Sequence, residues 1–525
     1  MKGKRLFLDI NINIGFMNIR KVSYFIIGLF LVLTGCVSVG QQNGTCYYFD
    51  ANDGHDQNDG KTPQTAWKSV DRIKDLLLMP GDSVLFKRGS VFHGIIEVSG
   101  KGTSQQRIII DAYGHGSKPC IIAPDSSLYA VLVKNSDYLT LQNLEIVNTG
   151  CDRLAGRTGV KVLCEDYGVS HNLILNALYI HDVNGTLAKH SGEGSGILIA
   201  NSWKEHISYY DSLLIENCVI RRCERNAINW HSNWDRQNWH PNLHTVVRHN
   251  LIEEVPGDGI VPIGCDSTLI EYNLMRKCTG ILPPGDAAAG IWPWSSDNTL
   301  IQFNEVSDHK APWDGQGFDS DFNCSNTVIQ YNYSHDNEGG FVLICCPGPS
   351  ERDTTKMIGN VGTRVLYNVS QNDAVRTHKT RVGYFSPTIH MGGVSTNTLI
   401  YRNILHAGIK PTANTDRSLL TSDSWGGYAD STTVRENIFY TPEVSAIRLN
   451  KSTRNLFEGN YYLGNFSSIP ADASAHKESP YYSQEIVGSV VGFQSLFDSV
   501  TVGDGEAVMS VVNKERIQAF FERIK

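Results

Sequence analysis

The sequence has no basic tract, no tight metal-ligand spacing and few helical periodicities, and each absence removes a class of function. Its 46 Lys and Arg against 54 Asp and Glu leave a net charge of -8. With no run of Lys or Arg to neutralise a phosphate backbone, nucleic acid is not an expected partner. No CxxC, HxH or HExxH pattern occurs, so no metal site is expected, and the twelve cysteines read as core residues better than as a disulfide framework. Cys218, Cys223 and Cys278 fall inside apolar stretches, where a small thiol packs well. Cys345-Cys346 has no explanation at this level. The scarcity of helical spacing, with 48 glycines and 10% aromatic residues, points to a chain of many short strands and turns.

The N-terminus carries an export pattern. Arg20 and Lys21 precede an apolar run from Tyr24 to Leu33, followed by Thr34, Gly35 and Cys36. The run is shorter than the roughly 20 residues of a membrane span. Leu33-Thr34-Gly35-Cys36 resembles the bacterial lipobox, in which the cysteine becomes the acylated first residue. That resemblance implies loss of residues 1–35, an anchor at Cys36 and export to the outer membrane, either face, with the membrane a partner through the lipid alone. Met17 lies at a normal signal-peptide distance and is an alternative start.

A short phrase recurs: an aliphatic pair, one or two polar residues, then Asn. It is seen at Leu139–Asn143, Leu213–Asn217, Val246–Asn250, Leu269–Asn273, Leu300–Asn304, Val328–Asn332, Val365–Asn368, Leu399–Asn403 and Val434–Asn437. A fixed phrase with elastic spacing predicts stacked strands joined by variable loops, so the expected fold is all-β, a right-handed parallel β-helix. The asparagines should form a ladder at one corner, where Asn tolerates left-handed backbone and its amides bond to their equivalents above and below. An amphipathic stretch with Ala66, Val70, Ile73 and Leu77 predicts an N-terminal helical cap. Ile517, Phe520, Phe521 and Ile524 predict a C-terminal helix at or against the other end. The expected organisation is signal peptide 1–35, linker 36–45, cap and first strands 46–115, β-helix 116–470 and C-terminal cap region 471–525.

A second strand repeats as a small residue followed by Ile or Phe: Gly196-Ile197, Ala227-Ile228, Gly259-Ile260, Gly290-Ile291, Gly317-Phe318 and Gly340-Phe341. If that apolar residue points inward, alternation sends Asn229/His231, Trp292/Trp294, Asp319/Asp321 and Val342/Ile344 outward. Indoles beside carboxylates suit a sugar, because pyranose C–H faces stack on aromatic rings and paired carboxyls carry protons at a glycosidic oxygen. Asp319 and Asp321 are therefore the candidate acid/base residues, with Asp314 and Glu338 as supporting or substituting carboxylates. Trp292 and Trp294 are the stacking platform. Asp258 and Asp286, in the turns with Glu193, join Asn229, His231 and Trp234 as substrate-binding candidates, and Trp239, His240 and His244 extend that loop. A close carboxylate pair would suit retention and a wider one inversion; spacing leaves both open.

Asn58-Asp59-Gly60, Thr65-Ala66-Trp67, Pro80-Gly81-Asp82 and Asp111-Ala112-Tyr113-Gly114, with the rungs that follow, resemble pectin-lyase-like β-helix proteins of Bacteroides-type glycan-degrading systems. The resemblance covers most of the mature chain. It implies a carbohydrate-active protein with a polysaccharide or oligosaccharide partner. The leading expectation is a monomeric glycoside hydrolase without a cofactor. A polysaccharide lyase, with calcium as a possible cofactor and His309 or Lys310 near the site, is the first alternative. A non-catalytic glycan-binding lipoprotein is the second.

Overall fold

The computed structural model describes residues 44–350, 357–478 and 494–524, all within one compact unit, Gly44–Lys525. The lipobox, Cys36 and the signal run lie outside the described residues, and no helix among those described is long and apolar enough to cross a membrane.

The chain is a right-handed parallel β-helix. One face is a fourteen-stranded sheet running from Cys46–Phe49 to Leu456–Glu458, with one strand contributed per turn. The apolar phrases occupy it in register, for example Ile270 beside Ile301 and Ile301 beside Ile329. These side chains are fully buried. Their stacking gives one continuous core along the coil, and burying a Val or Ile side chain contributes about 1.5–3 kcal/mol.

The asparagine ladder is present from Asn250 through Asn273, Asn304, Asn332, Asn368, Asn403 and Asn437 to Asn460, each side-chain amide donating to the next side-chain oxygen at 2.9–3.0 Å. Two details differ from the expectation. The left-handed residue is the one before each ladder asparagine: His249, Tyr272, Phe303, Tyr331, Tyr367, Arg402 and Glu436 have φ between 50° and 55°. The turn thus places the Asn side chain inside the coil, where its amide satisfies backbone carbonyls that water cannot reach. Asn143 and Asn217 are not in the ladder. They take the left-handed position themselves, and the residue after Asn217, Cys218, meets the ladder by donating its backbone N–H to Asn250 Oδ1 at 2.9 Å.

The expected N-terminal helix is a short 3-10 turn, Val70–Asp75. Val70 and Ile73 are buried in the end of the core, but the turn stops at Asp75 and the chain is extended at Leu76, so Leu77 leaves that face and is 82% exposed. At the other terminus an antiparallel hairpin, Phe497–Val502 and Ala507–Val512, leads into a helix, Lys514–Arg523, capped by Asn513. This segment lies along the flank. The hairpin packs on Val219, Leu251 and Leu274, and the helix on Tyr331, Val369, Ile404 and Tyr461. The described cysteines are all free thiols, and Cys164, Cys218, Cys223, Cys265 and Cys278 are buried.

A second face carries the strands Asn226–His231, Gln316–Ser320, Gly340–Cys346, Ile389–Gly393 and Ser418–Asp423. Its inward column runs Ile228, Ile260, Ile291, Phe318, Val342, Ile389 and Leu420. The Gly-Ile/Phe reading is in register as far as Phe318 and then slips. Val342, not Phe341, pairs with Phe318, so Leu343 and Cys345 face outward in place of Val342 and Ile344. Gly340, at φ 126°, absorbs the extra residue.

Candidate functional site

The outward side chains of this second face floor a cleft of about 1120 Å³. One outward column is Asn229, Val261, Trp292, Asp319, Leu343 and His390. The other includes Ile263, Trp294, Asp321, Cys345, Gly392 and Asp423. Strands stacked about 4.8 Å apart put a new pair of side chains on the wall at each turn. Asn229, Asp258, Asp286, Trp292, Trp294, Asp314 and Asp321 all line the cleft.

Asp321 is half-buried. Its Oδ1 accepts the Phe322 N–H at 2.6 Å and faces the Cys345 thiol at 3.1 Å. Cys345, unexplained in the sequence, is a direct neighbour of this carboxylate, and burial with the Asp321 charge pushes its pKa well up, so it stays a thiol. Asp319 sits behind: it is 3% exposed, its Oδ1 has no hydrogen-bond partner, and it is not part of the cleft lining. Atoms of Asp319, Asp321 and Cys345 lie within 4.8 Å of one another. Burial, then the charges of Asp321 and Asp314, hold the Asp319 carboxyl well above the usual range, so it is a buried acid behind the cleft wall.

Asp314 reaches the cleft from the turn before the strand. It belongs to the short strand Trp313–Asp314, paired with Ala287–Ala288, and takes a left-handed φ of 61°. Arg376 is buried beneath, donating to the carbonyls of Ala311 at 2.9 Å and of Asp314. Burial raises the Asp314 carboxyl to about 7, with Lys189 opposing and Asp321 reinforcing the rise.

Other expected residues take supporting places. Asp258 is fully buried and holds Arg225 at 2.5 Å, Trp292 Nε1 at 3.0 Å and the Ala289 N–H at 3.0 Å. Burial alone would raise its pKa, but Lys189, Arg225 and these hydrogen bonds outweigh it and the carboxyl is lowered. Asp286 accepts the Lys189 N–H at 3.0 Å. Trp292 is 5% exposed with the Lys189 ammonium 4.8 Å above its ring, so it is a wall and not an open platform. The stacked indoles are instead Trp294 and Trp234, 5.7 Å apart and 13° from parallel, with Trp234 exposed. His231 pairs with Glu193 at 3.4 Å.

Six expected neighbours are elsewhere. Glu338 turns to His378 at 3.1 Å and does not line the cleft. Trp239 lies under Arg236, His240 beside Trp203 and His244 against Asp211. His309 is fully buried, bonded to the Gly257 carbonyl and lowered to about 4 by burial, and Lys310 is exposed away from the lining. Neither is placed as a base. Lys189, Arg381, Phe385, His390, Asp423 and Trp425 line the cleft without having been singled out in the sequence. They sit on loops or on strands that lack the Gly-Ile/Phe phrase.

With this geometry in place, the family model for right-handed β-helix regions matches residues 195–377. Lacto-N-biosidase of Bifidobacterium longum subsp. longum is 27% identical over 426 residues, which is 63% of this chain and 26% of that protein. The chain therefore spans 26% of the length of the curated relative it matches. The native crystal structure of GH136 lacto-N-biosidase from Eubacterium ramulus has a TM-score of 0.55 at 28% identity, covering 69% of this chain and 64% of that one. Its selenomethionine derivative gives 0.58 at 25% identity, covering 81% and 68%. The chain is a right-handed parallel β-helix protein similar in sequence and structure to these GH136 lacto-N-biosidases.

Proposed function

We propose that this chain is a glycoside hydrolase acting on an oligosaccharide, with a lacto-N-biosidase-like reaction as the specific reading. The observation that carries it is the pair Asp314 and Asp321 on one cleft wall, in unlike environments. Asp314, raised to about 7, keeps its proton in weakly acidic solution and serves as the acid for the leaving oxygen. Asp321, with two donors aimed at Oδ1, is suited to the anionic form and serves as nucleophile or base. Asp319 is a positioning residue in this reading. The aromatic walls and the similarity to GH136 lacto-N-biosidases support a sugar substrate. Asn229 and Asp286 at the cleft surface supply polar contacts to hydroxyls, while Asp258 and Trp292 hold the wall's shape.

The anchor at Cys36 and an outer-membrane position remain part of the proposal. For the test, the chain is incubated with lacto-N-tetraose and a panel of plant and host polysaccharides, following reducing ends and the ultraviolet absorbance of unsaturated products. Reducing ends alone are expected, and Asp321→Asn should lower kcat about 10²-fold or more. An ultraviolet-absorbing product would establish elimination, and binding with no product of either kind would establish a capture protein; both would overturn the hydrolase reading.

A further inference from the structure

Beyond the carboxylate pair, the same wall carries a second aromatic group. His390 follows Asp319 and Leu343 in one column, two turns from Asp319 or about 10 Å at strand spacing. Asp423 follows Asp321, Cys345 and Gly392 in the other. The Trp425 indole lies across Gly392: a Cβ at Gly392 would come within 2.9 Å of its ring, so only glycine leaves room for it there. The Gly348 N–H donates to the Trp425 carbonyl at 2.6 Å, and Gly348 meets Gly426 so closely that a Cβ would stand 2.4 Å from the Gly426 oxygen. Gly348 thus holds the Trp425 backbone while the indole lies on Gly392.

The His390 and Trp425 rings meet edge to face at 5.6 Å, and those of Phe385 and His390 at 5.0 Å. His390 is 5% exposed and lines the cleft, yet its Nε2 makes no hydrogen bond. The nearest carboxylate oxygen, on Asp423, is 3.7 Å away. A buried imidazole nitrogen without a partner costs free energy unless something from the cleft completes it. Aromatic faces, an imidazole and a carboxylate at one spot match the apolar face and the hydroxyl edge of a neutral pyranose.

We propose that Phe385, His390, Asp423 and Trp425 form a second sugar subsite, across the carboxylate pair from Trp294 and Trp234, so that substrate is gripped on both sides of the bond that breaks. The inference rests on the glycoside hydrolase reading and assigns a neutral oligosaccharide, with His390 and Asp423 taking hydroxyls and Trp425 a ring face.

The test uses the full chain as Asp321→Asn, titrated calorimetrically with lacto-N-tetraose and separately with its halves, lacto-N-biose and lactose. Trp425→Ala in that background should weaken the tetrasaccharide and one half about tenfold, and Trp294→Ala should weaken the tetrasaccharide and the other half. Trp425→Leu, which keeps bulk but loses the ring face, should behave as Trp425→Ala and guards against a folding defect. Loss of the same half in both variants, no change with either Trp425 variant, or no binding of any of the three sugars overturns the subsite. Binding that follows the expected pattern while the unmutated chain hydrolyses nothing defeats the hydrolase reading and leaves the subsite standing.

Discussion

At Asp314 the low polarity of the turn and the charge of Asp321 keep a carboxyl protonated that would be ionised in water, and this sets a pH dependence. Its pKa is raised in the fold to about 7 from an ordinary 3.8. The stability this proton gives the fold is therefore complete below the ordinary value and is lost as pH rises towards about 7. Turnover should fall over the upper end of the same range as the acid loses its proton. A pH profile of kcat should show a descending alkaline limb near 7, and Asp314→Asn should abolish that limb while lowering kcat about 10²–10⁴-fold. Thermal unfolding of Asp314→Asn should lose less stability than the unmutated chain between weakly acidic and alkaline buffer. An unchanged alkaline limb would remove Asp314 from the acid's role.

Asp321 and Trp294 were legible as outward side chains because alternation along a strand and stacking between strands are both periodic, and Asp314 because an acidic residue recurs near Gly in the turns that enter these strands. What periodicity cannot convey is depth. Asp319 and Asp321 share a strand face and look equivalent, yet Asp319 is covered and Asp321 reaches the cleft. Trp292 and Trp294 are likewise paired by alternation and separated by Lys189, which arrives from a loop about which spacing says nothing.

Among the elements, the asparagine ladder was the most legible feature because one buried residue is forced at each turn. Asn332 shows why: its Nδ2 donates to the Ile301 carbonyl at 2.9 Å and to Asn368 Oδ1 at 3.0 Å, and its Oδ1 accepts from the backbone and side chain of Asn304. Asn332→Ala leaves several of these buried groups without partners and should cost about 1–3 kcal/mol for each group stranded. Equilibrium unfolding in urea measures it, and a loss below a few tenths of a kcal/mol would mean that water replaces the amide. The Gly-Ile/Phe phrase was less dependable because glycine permits an extra residue. At Gly340 the register slips by one, bringing Cys345 against Asp321. His390 and Asp423 were hidden for a related reason, since their strands begin Ile389 and Ser418 without a preceding small-apolar pair to mark them.

For the whole molecule, the coil's core runs unbroken beneath the cleft, whereas the C-terminal hairpin and helix are held by separate apolar clusters on the flank. Helical spacing in the sequence identified the inward residues of that helix but not the surface they meet, because spacing along one helix carries no information about its partner. The helix is anchored by Phe521, Ile517 and the Arg402–Glu522 pair at 2.9 Å, with Glu522 well exposed, so packing and not charge must carry most of the attachment. Phe521 is 2% exposed. Phe521→Ala should weaken docking by about 3–5 kcal/mol. Because the attachment is a local cluster, the loss should appear as local opening of the terminal segment before the coil unfolds. Trypsin should then cut at Lys514, Arg516 or Arg523 much faster than in the unmutated chain, with the remaining coil still folded by circular dichroism. Equal cutting rates would show that the helix is held by something other than its buried face; simultaneous loss of the coil would show that flank and core unfold as one cooperative unit.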